Sequence, residues 1–202
     1  MQHSKILAVT LSVAALATPM SADGSWDGFY AGLSLDATRS KAGISGTAAH
    51  DRNDTFATLG AYGGFNRTTQ RGLIWGGEIG ISGLPSGANA SGGGLGTSEF
   101  KGKYLITPRL RAGFATDKVF FYGIAGLGIS DAVVRRAGAT STDVVIGVNY
   151  GLGAEMKLGN NWSTRLDITR TDLGIPDQSF GAQKRDTKVK IDKITFGLTK
   201  NF

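Results

Sequence analysis

Apolar and polar residues alternate one by one over unusually long stretches of this chain. Between Asp143 and Lys157 one parity carries Val144, Ile146, Val148, Tyr150, Leu152, Ala154 and Met156. The other carries Val145, Gly147, Asn149, Gly151, Gly153, Glu155 and Lys157. A strict period of two over such a run predicts a β-strand longer than those of ordinary globular domains. The last segment behaves alike: Ile194, Phe196, Leu198 and Phe202 share one face, and Lys193, Thr195, Gly197, Thr199 and Asn201 the other. Six further segments follow the pattern less cleanly: Gly28–Thr38, Thr55–Asn66, Gly72–Ser82, Phe100–Phe114, Lys118–Ser130 and Asn161–Asp172. The Lys118–Ser130 segment is apolar on both parities, so periodicity leaves its orientation open. Pro108 lies inside the fourth segment, removes one ladder donor, and predicts a local bulge or kink.

The gaps between these segments come in two kinds. Residues 39–54, 83–99, 131–142 and 173–188 are long and rich in Gly, Ser, Thr, Asp and Ala, whereas 67–71, 115–117 and 158–160 are short. Long loops at one end and tight turns at the other predict an all-β fold, an eight-stranded antiparallel up-and-down transmembrane β-barrel. Four long extracellular loops and short periplasmic turns follow, with both termini on the turn side.

A soluble barrel has the same period with its apolar face inside. Two features favour the inverse arrangement. The polar parity is rich in glycine and sparse in charge, which suits a lumen wide enough only for side chains. The final strand also alternates up to a terminal aromatic, Phe202, the usual assembly signal of outer-membrane barrels. Ile194, Phe196, Leu198 and Phe202 are the candidate signal, to be read by the barrel assembly machinery and periplasmic chaperones. Lumen-facing candidates are then Glu78, Arg109, Arg111, Glu155, Arg165 and Asp167, three acids and three bases. Charges in a narrow, dry lumen must pair, so one ionic network is expected, with Glu78 reaching Arg109 or Arg111 and Glu155 reaching Arg165.

The N-terminus reads as a targeting segment. Lys5 precedes an apolar run, Ile6 to Ala17, too short for a transmembrane helix. Residues 1–22 are the expected signal peptide, with cleavage after Ala22 and a rival site at Ala17, leaving 23–202 as the barrel domain. No later run is long and apolar enough to cross a membrane as a helix.

Composition narrows the chemistry further. Glycine supplies 31 of 202 residues and cysteine none, so disulfides and thiolate metal sites are excluded. The formal charge of +6 is spread along the chain without aromatic interleaving, which argues against nucleic-acid binding. Beyond the leader one histidine remains, His50, followed by Asp51 in a Gly- and Ala-rich loop. Its neighbour is Asp51 and not a serine nucleophile, so neither an enzyme nor a cofactor is expected. Gly92-Gly93-Gly94 lacks the Lys-Ser/Thr and helix of a phosphate loop. Basic residues do gather toward the predicted outer rim. Arg39, Lys41, Arg135, Arg136, Arg170, Lys184, Arg185 and Lys188 are candidate contacts for lipopolysaccharide, because the outer leaflet is anionic and arginine suits phosphate.

Several motifs recur in the order of a known family. Trp26-Asp27-Gly28-Phe29-Tyr30-Ala31-Gly32 matches an opening W-x-G-F-Y-x-G. Thr107-Pro108-Arg109-Leu110-Arg111-Ala112-Gly113-Phe114 matches T-x-R-x-R-x-G-[YF], and Gly151-Leu152-Gly153-Ala154-Glu155 matches G-x-G-x-E. Asn161-Trp162-Ser163-Thr164-Arg165-Leu166-Asp167 matches N-W-S-x-[KR]-x-[ED], followed by Asp172-Leu173-Gly174. Over nearly the whole mature chain the sequence resembles the bacterial outer membrane protein beta-barrel domain, or porin-family, proteins related to the OmpA-like transmembrane barrel. The resemblance implies a surface protein of the Gram-negative outer membrane that maintains envelope integrity and contacts host or ligand through its loops. The competing expectation is transport, as a narrow pore or a haem-binding receptor. Two departures stand out: Lys200 occupies a position usually held by Tyr, and Ile168 and Arg170 replace tyrosines, which thins the outer aromatic belt.

Overall fold

The computed structural model describes residues 26–44, 55–84, 88–90, 98–100, 104–136, 139–174 and 187–202. Its strands are β1 (Gly28–Ile44), β2 (Thr55–Thr68), β3 (Leu73–Gly83), β4 (Ala88–Ala90), β5 (Ser98–Phe100), β6 (Tyr104–Ala115), β7 (Val119–Arg136), β8 (Ala139–Gly159), β9 (Trp162–Gly174) and β10 (Thr187–Asn201). Eight of them close into an antiparallel barrel in the order β1-β10-β9-β8-β7-β6-β3-β2, while β4 and β5 pair as a separate two-stranded ribbon. Every barrel neighbour except the closing β1–β10 pair is consecutive in the chain once that ribbon is set aside, which is the up-and-down plan.

The ladder fixes the barrel's stagger. Starting at Tyr30, successive partners are Gly64, Glu78, Arg109, Gly126, Asn149, Thr171, Ile191 and finally Ser40. One circuit therefore returns to β1 ten residues further along. With a rise of ~3.3 Å per residue and strands ~4.8 Å apart, eight strands at this stagger tilt by about 40°. Such a barrel encloses side chains and no open channel.

Side chains sort by parity as an inside-out protein requires. Leu33, Leu59, Leu152 and Ile168 point outward and are 61–75% exposed, whereas Asp36, Glu155 and Asp167 point inward and are fully buried. A continuous exterior of exposed Leu, Ile, Val and Phe is untenable in water and natural in hydrocarbon. At the turn end the exterior carries a girdle of Phe29, Phe65, Trp75, Phe114, Phe121, Trp162 and Phe202. Neighbouring rings touch, Phe29 on Phe65 at 6.5 Å and Phe65 edge-on to Trp75 at 5.9 Å. Among the described residues the loop-end exterior aromatics are fewer, Phe56, Tyr104 and Tyr150.

Three expectations from sequence need revision. Pro108 makes no bulge: its ladder to β3 stays in register, and the ladder to β7 lapses at Thr107–Pro108 and resumes unshifted at Arg109–Gly126. A proline deletes a donor without inserting a residue, and Pro108 faces outward, where its ring meets lipid. The described residues of 131–142 continue two strands where a loop is expected. Six ladder pairs, from Asp131–Val144 to Arg136–Ala139, carry β7 and β8 beyond their last pairs with β6 and β9. Val133, Val134, Thr140 and Thr142 are β-branched, and that outweighs the Ser/Thr-rich look of a loop. The fourth segment also starts later, because Ser98–Phe100 pairs with β4 and the barrel strand begins at Tyr104. The undecided orientation of 118–130 is now resolved. Phe120, Tyr122 and Ile124 face inward, and Phe121 and Leu127 face lipid.

The tight β8–β9 turn uses left-handed backbone at Gly159, Asn160 and Asn161 (φ 100°, 51° and 62°), which Asn and Gly tolerate best. The Lys200 ammonium donates to the Asn160 carbonyl at 3.0 Å and lies 5.2 Å from the Trp162 ring centre. Lys200 thus ties the last strand to this turn.

Candidate functional site

The inward parity of β3, β6, β8 and β9 delivers Glu78, Arg109, Arg111, Glu155, Arg165 and Asp167 into one buried cluster. Glu78 is its hub. Its carboxylate accepts from Arg109 Nε at 2.7 Å and pairs with Arg109 Nη2 and Arg165 Nη1, each at 2.5 Å. It also accepts from the Tyr30 hydroxyl at 2.9 Å and lies 3.8 Å from Arg111 Nη1. Arg109 bridges onward to Asp167 at 3.1 Å, and Arg111 to Glu155 at 2.9 Å.

One expected partnership is rearranged. Glu155 and Arg165 are direct ladder partners, yet Arg165 reaches across the lumen to Glu78. Glu155 takes Arg111 instead and accepts from the Ser163 hydroxyl at 2.5 Å. Cross-lumen distances in a barrel this narrow are within an arginine's reach, so pairing does not follow ladder neighbours.

Sequence reasoning missed the cluster's uncharged half. The Arg111 guanidinium lies over Tyr30 at 4.2 Å and Tyr122 at 5.0 Å, and Arg165 lies over Tyr62 at 3.3 Å. Arg111 Nε donates to Asn66 Oδ1 at 2.9 Å, and the Tyr122 hydroxyl to Asp167 at 2.6 Å. Tyr30, Tyr62, Asn66 and Tyr122 all sit on inward parities, which was the available signal. Each of the three tyrosine rings lies against glycine: Tyr30 over Gly64, Tyr62 over Gly32 and Gly197, Tyr122 over Gly153. Any Cβ there would overlap the ring, so part of the glycine excess clears room for the aromatic layer.

A second, smaller pair lies toward the loop end. Lys193 Nζ contacts Asp36 at 3.4 Å and Ser82 Oγ at 3.3 Å. With it the described lumenal charges balance, four acids (Glu78, Glu155, Asp167, Asp36) against four bases (Arg109, Arg111, Arg165, Lys193).

Apolar layers close the lumen on both sides of the charges. At the turn end Trp26, Ile74, Phe120, Tyr122 and Ile124 form one cluster. Trp26 precedes β1, stacks on Phe120 at 5.5 Å, and lies under the Lys157 ammonium at 4.5 Å. Its neighbour Asp27 accepts from the Thr68 amide at 2.6 Å and from the Thr68 hydroxyl, which ties the segment before β1 to the adjacent end of β2. At the loop end Leu105, Val145, Leu173 and Ile191, from four different strands, are 1% exposed. Trp26→Ala is expected to lower folding stability by about 1–2 kcal/mol, below the ~3–5 kcal/mol of a core tryptophan, because water can fill the vacated mouth. Urea unfolding of the barrel in bilayers measures it, and an unchanged midpoint would show that Trp26 closes nothing.

The other predicted residues separate. Ile194, Phe196 and Leu198 face outward on β10, and the Phe202 amide donates to the Phe29 carbonyl at 2.9 Å, next to the closing seam with β1. Arg39 and Lys41 on β1, Lys188 on β10 and Arg170 on β9 fall on adjacent strands. Arg135 and Arg136 belong to the β7–β8 extension, and Lys184 and Arg185 lie outside the described residues.

A closed barrel with a hydrocarbon-compatible exterior and a charged, sealed interior defines a transmembrane β-barrel of the outer-membrane class. The comparisons agree and give the family. Residues 8–202 match the outer membrane protein beta-barrel domain, and the chain belongs to that family. It is 28% identical to a 22 kDa outer membrane protein of Rhizobium leguminosarum bv. viciae, over 91% of this chain and 82% of that protein. It is also 28% identical to a 31 kDa outer-membrane immunogenic protein of Brucella melitensis, over 71% of this chain and 65% of that protein. Among solved structures, Neisserial surface protein A shares the fold, with a TM-score of 0.52 at 18% identity over 86% of this chain and 97% of that one.

Proposed function

We propose that this protein is a structural and surface-contact component of the Gram-negative outer membrane. It stiffens the envelope as a filled barrel and presents its loop end to the exterior. The observation that carries this reading is the lumen. Balanced charges lie between two apolar layers, an arrangement that ties strands together and leaves no wet path among the described residues. The six-pair β7–β8 extension supports the second half, since it projects ~20 Å of strand past the barrel neighbours. The immunogenic Brucella relative agrees with surface presentation. Residues 1–22 act as a cleaved signal peptide, the mature chain begins near Asp23, and the β10 face ending at Phe202 guides assembly.

The test is in two parts. Refolded protein in planar bilayers should show no steady single-channel conductance, and a reproducible ohmic channel would replace this reading with transport. Intact cells treated with protease should lose the β7–β8 extension while the barrel stays protected and heat-modifiable on gels. Fractionation away from the outer membrane, or an intact mass that retains Met1, would refute the localisation.

A further inference from the structure

The turn end of the barrel has two unlike sides. β3 and β9 lie four strands apart whichever way the circuit is followed, so Trp75 on β3 and Trp162 on β9 mark opposite faces. Both rings are exposed on the exterior. Beside Trp162 the neighbouring base is already engaged: Lys200 donates to the Asn160 carbonyl and lies over the Trp162 ring. Beside Trp75 the bases are not engaged. Arg67 is the direct ladder partner of Trp75 and shares its outward parity. Arg71 lies in the β2–β3 turn and Lys118 in the β6–β7 turn. These turns are neighbours, because Leu73, just past the first, is the ladder partner of Phe114, just before the second.

The side chains of Arg67, Arg71 and Lys118 are exposed, and none makes an ion pair, hydrogen bond or ring contact among the described residues. The nearby acids act elsewhere. Asp27 is held by Thr68, and Asp117 acts electrostatically on Lys157, whose ammonium lies over the lumenal Trp26. Next to these bases the exterior is apolar, with Trp75, Leu110, Phe114 and Phe121 exposed. A lipid-facing tryptophan marks the boundary between hydrocarbon and headgroups. Arg67, paired with Trp75, therefore lays its stem on hydrocarbon and its guanidinium among the headgroups. Bases gathered at that level attract anionic lipid, and a guanidinium fits phosphate oxygens. A soluble anion would answer the charge alone, whereas a phospholipid matches both the charge and the apolar strip beside it.

We propose that the outer face of β2, β3 and β6 at the turn end holds an anionic glycerophospholipid of the periplasmic leaflet. Its phosphate sits among Arg67, Arg71 and Lys118, and its acyl chains lie along Trp75, Leu110 and Phe114. The inference rests on the outer-membrane reading above. Failure of that reading would show in fractionation, independently of any measurement of lipid contact.

The three tryptophans of the chain make the test local. Trp26 is buried in the mouth, so Trp162→Phe leaves Trp75 as the lipid-facing fluorophore and Trp75→Phe leaves Trp162. Each variant of the full mature chain is refolded into phosphatidylcholine vesicles. These carry an equal mole fraction of either phosphatidylglycerol or phosphatidylcholine with brominated chains, at two salt concentrations. Quenching reports which lipid gathers at the ring. At Trp75 the anionic lipid should be enriched about tenfold over the zwitterionic one, the order expected for two or three bases at a membrane surface, and the enrichment should fall as salt rises. At Trp162 the two lipids should quench within about twofold of each other. Arg67→Gln with Arg71→Gln and Lys118→Gln should bring Trp75 to the Trp162 level. Heat-modifiable mobility confirms folding of each variant. Arg67→Gln alone, with enrichment reduced about threefold, replaces the triple variant if that does not fold. Equal quenching of Trp75 by the two lipids would assign the bases to a soluble partner and overturn the proposal. Equal enrichment on both sides of the barrel, or full enrichment in the triple variant, would overturn it as well.

Discussion

Glu78→Ala is expected to destabilise the barrel by about 3–5 kcal/mol, the usual cost of removing one partner from a buried ionic cluster. Glu78 serves Arg109, Arg165 and Tyr30 at hydrogen-bonding distance, with Arg111 close by. Its loss leaves three guanidiniums to share Glu155 and Asp167 in a lumen that water cannot reach. The midpoint of urea unfolding from lipid vesicles, followed by gel mobility, should fall accordingly. Glu78→Gln should fall less, because the amide oxygen still accepts, but should not match wild type. Adding Arg109→Leu to Glu78→Leu should recover part of the loss, since apolar replacement of a whole buried pair is often nearly neutral. An unchanged midpoint for Glu78→Ala would mean that the network contributes nothing to holding the strands together.

Gly153→Val is the second large effect, at about 2–6 kcal/mol. A Cβ at Gly153 would overlap both the Tyr122 ring and Asp167 Oδ1. Overpacking of this kind costs ~1–3 kcal/mol. Displacing the ring also breaks the Tyr122–Asp167 bond, which leaves a buried carboxylate short of a donor at ~1–3 kcal/mol more. Gly123→Val is the matched control. Gly123 is next to Tyr122 on β7 but faces lipid, and an added Cβ there meets only the Ala112 carbonyl at 3.9 Å. That variant should be near neutral or slightly stabilising, because β-branched residues suit an exposed strand position. Equal losses in the two variants would mean that lumenal crowding is not what selects glycine at 153.

What sequence made legible was whatever depends on period and composition. Alternation in Asp143–Lys157 and in the last strand assigned both faces residue by residue, because a side-chain period of two is a property of the single strand. The rhythm of long and short gaps gave the number of barrel strands, although much of the expected loop at 131–142 is strand. Inward placement of Glu78, Arg109, Arg111, Glu155, Arg165 and Asp167 follows from the same parity. Where both parities are apolar, as at Val119–Ile129, periodicity has nothing to report. Only the packing of Phe120, Tyr122 and Ile124 against Trp26 decides that orientation.

The sequence by itself determined an eight-stranded barrel with its charges turned inward. Tertiary structure alone decided who pairs with whom. Arg165 sits opposite Glu155 in the ladder and yet reaches Glu78, because the ten-residue stagger brings distant strands to one level and an arginine spans the lumen. The same stagger sets Lys41 opposite Lys190 in the ladder, residues 149 positions apart in the chain. Register is a relation between strands, set by the summed packing of both faces around a closed circuit, and no local pattern encodes it.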